Sequence, residues 1–210
     1  MLENLVFNIE EKSMLFSFPD PWPAAADAAR AHAVTAYPEE SVGVILSDGE
    51  YLPLTNTAED PKTAFDVPED ELAPYRLYGS DNDQPSIVCL IHSEPYEPDE
   101  IDHRDGPLMR GPSKADMLAQ QAWEIPFGLT VAVNGEAHGP VFWGDQFRKM
   151  YPAPLLGRPF IFGIYDCLAL LRDWFLHEKE IYLEDFPREM ADIENDVDMY
   201  MPNVKAWGFE

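Results

Sequence analysis

Residues Ser86–Ile91 read Ser-Ile-Val-Cys-Leu-Ile and run straight into His92. A short run of consecutive apolar positions lacks the alternation of a half-exposed strand, so it predicts a strand covered on both faces. Such a strand belongs inside a layered domain. The 210 residues, 46% hydrophobic and 12% aromatic, are enough for one large or two small domains with a real core.

Helix and strand signals alternate around this run, which makes the fold class mixed α and β (α/β). An Ala-rich segment from Pro23 to Ala36 predicts a helix, with Pro23 suited to its first turn and Tyr37-Pro38 ending it. Strands are expected at Val42–Ser47 and Tyr51–Leu54, joined by an Asp48-Gly49 turn, and a further short one around Ala64–Val67. Ser113 has the chemistry of an N-cap for a helix to about Trp123, and Leu129–Val133 predicts a strand ended by Asn134-Gly135. From these signals we expect an N-terminal extension (1–23) and a first domain (24–135). A linker of Pro, Gly and aromatic residues (136–156) and a mainly helical segment (157–210) follow. Phe7, Met14, Leu15, Phe16 and Phe18 give the extension apolar groups that can pack on a neighbour.

Charge narrows the partners. Fourteen basic and 39 acidic residues leave a formal charge of −25, a field that repels nucleic acid phosphates, so no nucleic acid partner is expected. No run of about 18 apolar residues occurs, so no membrane span is expected, and the N-terminus has no secretory pattern. Cys89 and Cys167, in unlike contexts, are read as free thiols.

His92 at the end of the buried strand, Glu94 two residues on, and Asp116 opening a helix can converge on one metal ion. Zinc-dependent amide hydrolysis needs three protein ligands, an open position for water and a general base. Ser113, one turn before Asp116, is placed to hydrogen-bond a transition-state oxygen. Each residue also has a plainer reading alone: His92 caps a strand and Asp116 starts a helix. Together with Glu39-Glu40-Ser41-Val42-Gly43, the order resembles the JAMM (Mov34/MPN) zinc-peptidase family, whose pattern is a Glu, then H-x-H, then S-x-x-D. The resemblance implies a JAMM-like mixed sheet flanked by helices. It also implies zinc held by His92, Glu94 and Asp116, with Glu40 as base and Ser113 assisting. Two departures weigh against activity. Glu94 replaces the second His, and its carboxylate would reduce the metal's positive charge. The gap from Glu94 to Asp116 is also long, and it contains His103 as a possible substitute ligand.

A second motif begins at Gly157, with Gly-Arg-Pro-Phe, then Tyr165-Asp166-Cys167, then an apolar helix to about His177. A helix N-terminus favours a thiolate, although the adjacent Asp166 carboxylate opposes it. This segment resembles the first part of an NlpC-type, papain-like cell-wall peptidase, which implies Cys167 as nucleophile. Within the 210 residues the only later histidine is His177, on the same helix and about 15 Å along it, out of reach of the thiol. The alternatives that stay open are a longer polypeptide or an inactive half-domain. The two motifs in this order resemble the tail tip assembly family of lambda-like phages. That resemblance implies a place at the virion tail tip after synthesis in the host cytoplasm. It implies other tail-tip or baseplate proteins as partners and hydrolysis of peptidoglycan stem peptides. The alternative is a structural tail-tip component whose peptidase domains are degenerate.

Overall fold

A computed structural model describes residues 20–75, 85–98 and 111–209. The apolar residues of the N-terminal extension and His103 lie outside these. Five strands form one mixed sheet, and seven α-helices surround it among the described residues. The chain opens with α1 (Pro23–Ala36), Pro23 at its first turn as its fixed φ requires. The buried face of α1 is Ala25, Ala26, Ala29 and Ala33, side chains small enough to let the helix lie close on the sheet. Strand β1 (Val42–Leu46) turns at Asp48-Gly49 into β2 (Tyr51–Leu54), paired antiparallel from Val42 with Leu54 to Ile45 with Tyr51. The strand expected around Ala64–Val67 is absent. That stretch is irregular and leads into the short helix α2 (Glu69–Leu72) and a 3-10 turn.

Strand β3 (Ile87–Pro95) lies in the middle of the order β2-β1-β3-β4-β5. It pairs antiparallel with β1 and parallel with β4 (Phe127–Val133). Parallel neighbours need a crossover, and here it contains α3 (Lys114–Trp123). Side chains alternate along β3 as strand geometry dictates. Leu90 faces a core with Val42, Val44, Phe127, Leu129 and Trp143, whereas Cys89 and Ile91 face α1 through Ala25 and Ala29. Both faces of β3 are therefore covered.

The sheet also takes in residues expected to be an irregular linker. Asn134 and Gly135 both have positive φ (41° and 91°), the geometry of a two-residue hairpin turn, and β5 (Glu136–Trp143) returns antiparallel along β4. Helix α4 (Asp145–Met150) follows. The C-terminal part consists of α5 (Cys167–Lys179), α6 (Met190–Glu194) and α7 (Tyr200–Ala206), with no strand among its described residues. Ile161, Ile164 and Tyr165, just before α5, join the same core as Leu90 and Leu129. No described helix is long and apolar enough to cross a membrane.

Candidate metal centre and the cysteine helix

His92 is 1% exposed and stands in register between Val42 of β1 and Leu129 of β4. Phe65 packs on its ring at 4.9 Å and Trp143 meets it edge-on at 6.2 Å. Neither ring nitrogen has a hydrogen-bond partner. What the buried ring meets instead is ionic, a carboxylate at ion-pair distance from each nitrogen.

Three carboxylates surround it. Asp116 brings Oδ1 to 3.5 Å from Nε2, and Glu40 brings Oε2 to 3.9 Å from Nδ1, an ion-pair distance too long for a hydrogen bond. Glu94 projects from the same face of β3 two residues on, half-buried, and its Oε2 accepts a hydrogen bond from the Tyr96 hydroxyl. Local structure fixes each one. Glu40 is held by its amide donating to Pro61 O (2.6 Å) and its carbonyl accepting from Asn56 Nδ2 (3.0 Å). The next residue is tied to β3, because Ser41 N donates to Ser93 Oγ at 2.8 Å. Asp116 belongs to a capping box. Its amide donates to Ser113 Oγ (3.1 Å), and its Oδ2 accepts from Ser113 N (2.8 Å) and Ser113 Oγ (2.7 Å). That leaves Oδ1 directed at His92. Ser113 is thus engaged as a cap, and assisting at a reacting oxygen would require its hydroxyl to leave Asp116.

Electrostatics couple the group. Burial opposes protonation of His92, but Asp116, then Glu40, then Glu94 outweigh it and raise its pKa to about 9. Burial lifts Glu94 to about 7, opposed by the Tyr96 hydrogen bond and His92 and reinforced by Asp116 and Glu40. His92, Glu94, Asp116 and Glu40 therefore feel one another electrostatically.

Donor atoms bound to zinc at about 2.0–2.1 Å in a tetrahedron lie about 3.3–3.4 Å apart. The 3.5 Å between His92 Nε2 and Asp116 Oδ1 is compatible with one shared ion. Among the described residues no group of three or more His, Cys, Asp or Glu side chains is placed to hold a metal ion as it stands. Glu94 would have to exchange its Tyr96 contact for the ion. Glu40 stands at the opposite ring nitrogen from Asp116, where carboxylates orient metal-bound histidines. Acting as base would require it to reach a water on the Asp116 side.

Cys167 is exposed and opens α5. The N-cap, Asp166, accepts from Ala169 N at 2.8 Å and Gly163 N at 2.9 Å. Its carboxylate is also gripped by Arg188, with Nε to Oδ2 at 2.7 Å and Nη2 to Oδ1 at 3.0 Å, both side chains wholly buried. The carboxylate expected to oppose a thiolate at Cys167 is thus paired with a guanidinium. His177 lies ten residues along the same helix. Tyr200, which the sequence did not single out, is close enough to feel Cys167. Burial first, then Cys167 and Asp166, raise its phenol pKa.

Sequence reasoning also missed a buried ion network behind α5. Arg172 joins Asp145 (2.9 Å) and Asp185 (2.7 Å), Arg148 joins Asp173 (2.9 Å), and Arg188 adds Asp185 (2.7 Å). The available signal was the charged pair Arg172-Asp173 inside an otherwise apolar helix.

No protein-family model matches the chain. It is similar to the tail tip assembly protein K of Escherichia phage N15, 28% identical over 167 residues. The match takes in 76% of this chain and 57% of that protein, so the chain spans a little over half the length of this curated relative.

Proposed function

We propose that the chain is a phage tail-tip assembly component of peptidase ancestry, working among other tail-tip or baseplate proteins at the virion tail tip. The similarity to a phage tail tip assembly protein supports the assembly role. What carries the peptidase reading is His92, buried among Asp116, Glu40 and Glu94 with no hydrogen bond at either ring nitrogen. In this reading the substrate is a peptidoglycan stem peptide, cleaved during tail assembly or genome delivery.

His92, Asp116 and Glu94 would hold zinc, which when bound supplies Lewis-acid polarisation of a peptide carbonyl and lowers the pKa of water. Glu40, at ion-pair distance from the Nδ1 side of His92, is the residue assigned as base in this reading. Asp116 reaches the centre only while the capping box holds its other oxygen. The second reading, a structural component that has lost hydrolysis, is favoured by the engagement of Glu94 with Tyr96 and of Ser113 with Asp116.

Zinc measured in purified protein before and after a chelator tests the centre. About one zinc per chain, lost in His92→Ala and kept in Glu40→Ala with hydrolysis gone, is expected. Equal, negligible zinc in the wild type and His92→Ala would leave the structural reading.

A further inference from the structure

The side-chain amide of Asn56 uses both of its N–H groups and both lone pairs of its oxygen. Nδ2 donates to Glu40 O and Ala64 O, each at 3.0 Å, and Oδ1 accepts from Ala58 N at 3.0 Å and Asp66 N at 3.1 Å. With carbonyls at one end and amides at the other, a single orientation of the group satisfies all four. This is more than a turn requires. An Asx turn uses the bond to the residue two positions on, here Ala58. The other three reach residues 8, 10 and 16 positions away in the chain.

All three lead to His92. Ala64 and Asp66 flank Phe65, and Thr57 closes the same loop by donating its N–H to Asp66 O at 2.8 Å. Phe65 is thereby held with its ring 4.9 Å from that of His92. The third bond holds the carbonyl of Glu40, whose amide donates to Pro61 O in the same loop. Glu40 in turn brings Oε2 to 3.9 Å from His92 Nδ1. One amide thus braces both the ring that packs on the imidazole and the carboxylate at its edge. We propose that Asn56 is a positioning residue for the His92 centre, setting Glu40 at Nδ1 and Phe65 against the ring. Its consequence for metal and hydrolysis rests on the peptidase reading above, whereas the placement of the imidazole does not.

The test follows the His92 ring by carbon–proton NMR in the full 210-residue chain with a chelator present. Phe65→Leu removes the aromatic neighbour and gives the shift that loss of this contact produces. Asn56→Ala should move the His92 signals in the same direction. Combined with Phe65→Leu it should add less than the sum of the two changes, because both act on one contact. Asn56→Asp keeps the acceptor oxygen but loses both donors to the Glu40 and Ala64 carbonyls, and it should move the signals too. The ring of His32, bonded to Tyr51 where α1 meets the sheet, is the control and should stay in place. Calorimetric titration of the Asn56 variants with zinc should show about tenfold weaker binding, the usual cost of disturbing a group behind a metal ligand. His92 signals unmoved in both Asn56 variants, or moved no more than those of His32, would overturn the proposal. So would zinc bound by both variants at the wild-type affinity. A wild type that takes up no zinc removes the metal reading instead, and the ring shifts alone then decide the role of Asn56.

Discussion

His92 is the residue on which the proposed chemistry turns, and its protonation sets a pH dependence. Its pKa of about 9 exceeds the ordinary 6.5, so the folded state holds that proton more tightly than the unfolded chain. This stabilisation is complete below pH 6.5 and lost as pH rises through 9. Glu94, at about 7 rather than 4.5, has the same sign, its contribution fading as pH rises from 4.5 through 7. Chelated protein should therefore lose thermal stability from pH 6 to pH 9, followed by scanning calorimetry. Zinc needs a neutral imidazole and an ionised carboxylate, so its affinity should climb over the same range as both protons are released. A flat affinity profile in calorimetric titration would place the metal elsewhere. These residues were legible in the sequence because motif order brought them together. Their second partners were not: Tyr96 on Glu94 and Glu40 at Nδ1 rather than beside Asp116 depend on side-chain placement that no spacing specifies.

At the scale of elements, caps carry much of the architecture. Ser113 both starts α3 and holds Asp116 toward His92, so Ser113→Ala should cost about 1 kcal/mol of stability in denaturant unfolding and also weaken zinc binding. A purely structural cap would leave the metal untouched. At α5 the cap is a buried ion pair, Asp166 with Arg188. Arg188→Met leaves that carboxylate buried and unpaired, and should cost about 3–5 kcal/mol. The double change with Asp166→Asn should recover part of the loss. The starts of α1, α3 and α5 could be read from Pro23, Ser113 and Asp166, since caps are local chemistry. Strand β5 could not. Gly139 has φ 96°, and a Cβ there would meet Leu129 O at 2.7 Å, so the glycine that looks like a strand breaker permits close backbone approach at a ladder irregularity. Pro140 follows it on the edge strand, where a missing N–H is tolerated.

For the whole molecule, the residues just ahead of α5 join the core of the sheet, while Phe162, Leu168, Phe186 and Met199 form a smaller cluster of their own. Ile161, Ile164 and Tyr165 pack with the strands, and an ion network from Asp145 to Arg188 locks α4, α5 and the loop after them together. Arg172 lies 27 residues from Asp145 and 13 from Asp185, beyond any periodic signal in the sequence. The arrangement gives the two candidate chemistries unequal standing. His92 has carboxylates in place around it, whereas Cys167, exposed at the start of α5, has His177 only on its own helix and ten residues away. Among the described residues no histidine is paired with Cys167, and a thiol without one lacks its usual base and proton donor. Any cleavage of peptidoglycan stem peptides by the 210-residue protein should therefore disappear with a chelator or in His92→Ala. It should persist at the wild-type rate in Cys167→Ala, measured by mass spectrometry of released peptides. Chelator-resistant cleavage that vanishes in Cys167→Ala would reverse this assignment and make the thiol the working nucleophile.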